Sequence, residues 1–235
     1  MLRVIILVFA IVGLFGAWYM ILPTGKSEKT YPVVGFDRII VADGIWAKVY
    51  TGQDGGVRGR VLRGDIENLQ VTKSGRTLEI SVAESDSILG PWARNRYQIT
   101  IWVSDVSYIK TDRDASLEVV TGFTGDLKAE AHRGSNLLIS EVVGNSISAT
   151  ATEEGSLTIY GVCNRLTAFA ESKGSVNSSG LECLNVNADA RSGGEIETTA
   201  VKRAELNALG GRIVMSGGAD VARERSMLGG EIIRP

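Results

Sequence analysis

Hydrophobic positions along this chain follow three patterns. From Val4 to Leu22 they run without interruption by a charge (VIILVFAIVGLFGAWYMIL), and Pro23 and Gly25 follow. As a helix this run would span roughly 29 Å, about the thickness of the bilayer hydrocarbon. Trp18 and Tyr19 lie near its far end, where amphipathic rings favour the headgroup region. Residues 1–25 therefore read as a transmembrane anchor, or as a cleaved signal peptide with Arg3 as its charged start. Either reading sends the rest of the chain out of the cytoplasm, and the first makes the membrane a partner through the N-terminal helix.

Residues 34–110 alternate apolar and polar positions with the period of strands. Ile39 and Val41 alternate, then Ile45, Ala47 and Val49. Leu69 and Val71 lead to Lys73-Ser74-Gly75-Arg76, and Leu78, Ile80 and Val82 follow, which predicts a hairpin. Tyr97, Ile99 and Ile101 continue the alternation, whereas Glu84–Arg96, with Gly90-Pro91 and mixed charges, reads as a loop.

Residues 111–235 repeat. Small residues punctuate the chain at 114, 134, 155, 174, 193, 210 and 229, which gives spacings of 20, 21, 19, 19, 17 and 19. An apolar alternation follows each marker, such as Leu137 and Ile139 or Leu157 and Ile159. A second alternation completes each unit: Leu127-Ala129-Ala131, Ile147-Ala149-Ala151, Leu166-Ala168-Ala170, Val186-Ala188-Ala190 and, more loosely, Ala204-Leu206-Ala208. Two short strands per roughly 19 residues, with Gly at the corners, predict an all-β parallel β-solenoid. Gly permits the corner dihedrals, and Ala suits a narrow interior. An antiparallel sandwich would also show frequent turns, but gives no reason for one pattern to return at this interval. Residues 34–235 read as one continuous domain.

Composition adds exclusions. Pro is absent from Trp92 to Arg234, as central strands require, and after Tyr108 only Phe123, Tyr160 and Phe169 are aromatic. With 25 basic against 27 acidic residues there is no basic excess to attract nucleic acid. One His and two Cys exclude a Cys/His zinc cluster and most His-based catalysis. Nothing in the sequence calls for a cofactor.

The chain resembles the putative auto-transporter adhesin head domain called GIN over about residues 35–234. Phe36-x-x-Ile39-x-Val41-x-x-Gly44-x-x-Ala47-x-Val49, Gly75-Arg76-Thr77-Leu78-Glu79-Ile80 and Ile99-Thr100-Ile101-Trp102-Val103 before Val106-x-x-Ile109 carry the resemblance, together with the repeated Gly-Ser turns. Asp114-Ala115-Ser116 stands where that family has its first Gly-Ser-Gly turn. The resemblance implies a right-handed parallel β-helix on a bacterial envelope protein and brings no catalytic residue.

Cys163 and Cys183 are one repeat apart, each three residues before an apolar strand start. Adjacent rungs are about 4.8 Å apart, inside the Cα window of a disulfide. A bridge in an oxidising compartment and a stacked pair of free thiols are both open. The acidic pairs Asp112/Asp114 and Glu153/Glu154 read as solvated corners at unrelated repeat positions, and His132 as a surface residue at a turn. Ser146–Thr152 forms a hydroxyl ladder on the solvent side of a strand. These features predict a non-enzymatic structural or adhesive module whose partner is a glycan or an envelope protein. A carbohydrate-active β-helix enzyme is the first alternative. A self-assembling solenoid, pairing through Ile232-Ile233, is the second.

Overall fold

The computed structural model describes residues 28–53, 55–63, 65–83 and 96–235. The expected N-terminal helix at 1–25 and nearly all of the expected loop at 84–96 lie outside the described residues. Among the described residues no helix is long and apolar enough to cross a membrane. A single 3-10 turn, Ile66–Asn68, is capped by the Asp65 side chain, which accepts from the Glu67 amide. The remainder is strand and turn.

The first seven strands are β1 (Glu28–Tyr31), β2 (Arg38–Val41), β3 (Trp46–Thr51), β4 (Gly56–Arg63), β5 (Leu69–Ser74), β6 (Thr77–Val82) and β7 (Arg96–Val103). Then come β8 (Tyr108–Thr111), β9 (Ser116–Val119), β10 (Phe123–Thr124), β11 (Leu127–His132), β12 (Asn136–Thr152) and β13 (Ser156–Glu171). The series closes with β14 (Ser175–Arg191), β15 (Glu195–Leu209), β16 (Arg212–Ser216), β17 (Asp220–Met227) and β18 (Glu231–Ile233).

From β8 onward the pairing is parallel and each rung lies on the one before it. Leu137, Leu157, Val176, Ile196, Ile213 and Ile232 form one inward column. Ala129, Ala149, Ala168, Ala188 and Leu206 form another on the opposite stack. The alanines of this column are 0–1% exposed, so the interior there is as narrow as the alternation predicts. Two separate short strands form in the rungs on either side, β9 with β11 and β16 with β17, whereas in β12–β15 the two are joined into one continuous strand. In β12 the ladder continues from Asn136 to Thr152 and absorbs the bend as a register shift between Ile139 and Val142. A bulge can turn a strand without giving up its hydrogen bonds to both neighbours.

The sharp corner lies between the end of one rung and the start of the next, and glycine is not what defines it. Its residues take left-handed φ whether or not they are Gly: Arg133 (49°) with Gly134 (70°), Glu153 (52°) with Glu154 (67°), Ser172 (52°) with Lys173 (63°). Side chains are costly there. The geometry is offset by hydrogen bonds along the axis, since the second residue of a corner donates its amide to the first of the next: Asp114 to Arg133 (3.1 Å), Gly134 to Glu153 (3.0 Å), Glu154 to Ser172 (3.1 Å). The glycines at 155 and 174 stand one position later. A Cβ on them would lie 2.2 and 2.1 Å from the carbonyl oxygens of Ala131 and Ala151 on the preceding rung. They are small because backbone is in the way. The sequence markers thus mixed two structural positions, which explains part of their uneven spacing.

The N-terminal half is wound out of order. The rung formed by β2 and β3 lies between β6–β7 on one side and β8–β9 on the other, parallel to all four. The chain lays down this central rung first, leaves it to form β4 and β5, returns as β6 and β7, and then crosses beyond it. Two carboxylates bind the inserted rung on both sides. Asp37 accepts from Arg76 Nε and Nη2 (2.9 and 2.7 Å) and from Ser107 Oγ (2.6 Å). Asp43 accepts from the Val82 amide (3.2 Å) and pairs with Arg113. Beyond β7 and β6 the sheet ends in antiparallel strands, β4 with β1 on one stack and β5 on the other; β5 and β6 are the predicted hairpin.

Candidate functional site

From β2 to β16 the inward positions of the strands are committed to the core, so the function is sought on the outward ranks. At the first rungs of the alanine stack a set of outward side chains bind one another. Tyr108 donates to Glu130 Oε2 (2.7 Å), Lys128 Nζ approaches Oε1 (2.7 Å), and His132 Nε2 lies 3.4 Å from Oε2. His132 Nδ1 is 2.6 Å from the Thr152 hydroxyl. The hydrogen bond from His132 leads the effects on Glu130; with those of Lys128 and Tyr108 it outweighs burial and holds the carboxyl well below its usual range. Burial, then the contact with Glu130, pushes the Tyr108 phenol up. His132 is therefore a half-buried bracket between rungs rather than a free surface residue.

Asp112 also departs from expectation. It is 4% exposed, not solvated, and Arg133 binds it through Nε (2.6 Å) and Nη2. Burial alone would raise its pKa; Arg133, with Lys110 and Arg113, more than offsets this and lowers it. Asp114, Glu153 and Glu154 are exposed at corners, and Asp114 and Glu154 hold the same corner position two rungs apart. Among the described residues no group of three or more His, Cys, Asp or Glu could hold a metal ion.

Cys163 and Cys183 are register partners on β13 and β14, with Cα atoms 4.5 Å apart and a bond between their sulfurs. Both are buried, Cys163 at 6% and Cys183 at 0% exposure. The Ser146–Thr152 ladder faces outward in part, and its last hydroxyl is the one on His132.

The stack that carries Trp46 is different. Trp46, Ser116, Asn136 and Ser156 are successive register partners, and Lys48, Glu118, Leu138 and Thr158 form the rank beside them. All of these but Lys48 line an open groove of about 330 Å³. Trp46 is 45% exposed. No single motif marked this groove in the sequence, because its residues are separated by about one repeat each; the signal available was the outward alternation of small polar residues after each corner. A second groove of about 400 Å³, on the alanine stack, is lined by Arg165, Thr167, Asn185, Asn187, Arg203 and Glu205 and is highly charged.

Comparison with known proteins agrees with this architecture. A putative adhesin from Bacteroides fragilis has a crystal structure with TM-score 0.72 at 19% identity, covering 90% of this chain and 98% of that one. A putative adhesin from Parabacteroides distasonis gives TM-score 0.68 at 17% identity, over 91% and 98%. A putative lipid binding protein from the same species gives 0.67 at 15%, over 90% and 97%. At these identities the likeness is one of fold. No curated protein matches the sequence. The family model for the putative auto-transporter adhesin, head GIN domain, matches residues 35–219, and the chain belongs to that family.

Proposed function

We propose that this chain is a non-enzymatic, adhesin-like module of the bacterial envelope, working outside the cytoplasm by presenting the outward ranks of its solenoid to a partner. Family membership and the fold of the adhesin-named neighbours support the reading. The uncharged run Val4–Leu22 supports export, as an anchor or as a cleaved signal. The observation that carries the proposal is the open depression beside Trp46: Ser116, Asn136, Ser156 and Thr158 line it and spend no side-chain hydrogen bond on another described residue, whereas Tyr108, Glu130, His132 and Thr152 on the alanine stack are bound to one another. Among the described residues the Glu130–His132–Thr152 cluster has the residue types of catalytic machinery, and its contacts favour a structural role. Its histidine is held between neighbours, and none of its three members lines either groove described above.

The test is adhesion. Beads coated with the full chain in mild detergent are expected to be retained on intact bacterial or epithelial cell layers several-fold above beads carrying the heat-denatured chain. Equal retention overturns the proposal.

A further inference from the structure

We propose that the Trp46 groove is a carbohydrate site that takes an extended, uncharged hexopyranose chain lying along the solenoid axis. This rests on the adhesin-like reading and names its ligand. Three features of the groove select that chemistry. At one end the indole of Trp46 offers a half-exposed apolar surface suited to the C–H face of a sugar ring. Along the floor Ser116, Asn136, Ser156 and Thr158 present hydroxyl and amide groups that make no side-chain hydrogen bond to another described residue. Groups of this kind both donate and accept, as sugar hydroxyls do. Asn207 and Asn164, elsewhere on the surface, are instead paired with Asp189 (2.9 Å) and Asn145 (2.9 Å).

Charge is the third feature. Glu118 is the one ionisable residue lining the groove, and its register partner Lys48 neutralises it at 3.0 Å. The next outward partners, Ser175 and Asn177, are also uncharged, and Glu195 and Glu197 then close the stretch. In the other direction Gln98 and Thr100 are uncharged and Arg60 and Arg58 follow. A neutral ligand fits between these limits, whereas a longer charged one of either sign meets like charge at one end. Rungs about 4.8 Å apart place polar groups at nearly the interval at which sugar rings recur in an extended β-linked chain, and the span from Trp46 to Ser156 is about 14 Å, room for roughly three rings. The charged groove of Arg165, Arg203 and Glu205 has neither an aromatic platform nor this neutrality.

The experiment titrates the full chain with cellohexaose, chitohexaose and laminarihexaose by calorimetry. At least one of these neutral hexasaccharides is expected to bind saturably. Trp46→Ala should weaken that binding at least tenfold, Trp46→Phe should retain most of it, and Tyr160→Ala, on an exposed residue outside the groove, should leave it unchanged. Circular dichroism on each variant separates loss of binding from loss of fold. No binding by the three sugars at millimolar concentration overturns the proposal, as does binding that Trp46→Ala leaves intact. The bead assay separates the two readings. Adhesion that survives Trp46→Ala overturns the carbohydrate site alone, while sugar binding without adhesion overturns the adhesin-like reading and leaves the site standing.

Discussion

At the scale of single residues, the fold depends on which atoms cannot be added and which charges cannot be unpaired. Gly174 is backed by the Ala151 carbonyl at 2.1 Å from where a Cβ would stand, and no side chain can rotate away to relieve it. Gly174→Ala is expected to lower stability by about 2–4 kcal/mol in urea denaturation. Gly134→Ala meets only the Asp114 side chain at 2.7 Å and carries a left-handed φ that Arg133 and Glu154 already tolerate, so about 1 kcal/mol is expected. Equal losses would mean that the close approach at Gly174 costs no more than the left-handed φ at Gly134. Thr198 is the opposite case. It is 1% exposed and its hydroxyl has no hydrogen-bond partner, so Thr198→Val should raise stability by about 1 kcal/mol. Glu130 gives the pH dependence. Its folded pKa is depressed, first by the hydrogen bond from His132, so its contribution is complete above the ordinary carboxylate range, near pH 4.5, and is lost as pH falls from there toward the folded pKa. The urea midpoint should fall with pH below about 4.5 and fall less steeply in Glu130→Gln; identical slopes would remove Glu130 from the acid response.

Individual strands were legible in the sequence to the extent that burial alternates along them. Tyr97, Ile99, Ile101 and Val103 are buried on every second residue of β7, as their spacing requires. The Leu/Ile-Ala-Ala triplets mark the narrow stack for the same reason. Pairing partners were not legible where the chain departs from sequential winding. Nothing in Ile39-x-Val41 distinguishes a rung laid between two later ones from a first rung at an end, because both bury the same face. The clue lay in the polar groups: Asp37 and Asp43 flank β2 and each binds one residue on either side of the inserted rung. The binding groove was legible still less, since Trp46, Ser116, Asn136 and Ser156 become neighbours only through the register. The cysteines belong at this scale too. A bridge between β13 and β14 closes a 20-residue separation and mainly restricts the unfolded chain, for about 3 kcal/mol. Protein isolated without reductant is expected to show no titratable thiol after denaturation, and reduction should lower the urea midpoint accordingly; two thiols reacting before reduction would exclude the bridge.

The whole molecule has two unlike ends. Toward the first rungs the parallel stacks finish in antiparallel strands, β1 and β4 on one side and β5 on the other, and the inserted β2–β3 rung bonds on both faces of its strands. Toward the last rungs β17 and β18 pair on one side only, and their residues are mostly exposed. In a stacked array each rung is stabilised by its neighbours, so a terminal rung with one neighbour and little buried surface opens at lower cost than an internal one. Sequence separation does not enter this argument; only the number of faces covered does. Amide exchange should therefore rank β17 and β18 as least protected, β13 and β14 as most protected, and β2 and β3 near the latter, although they come early in the chain. Protection at Val221–Met227 is expected to be at least tenfold below that at Leu166–Glu171. Uniform protection from β2 to β18 would show that the solenoid opens only as a single unit, and would remove the open end as a weak point of the molecule.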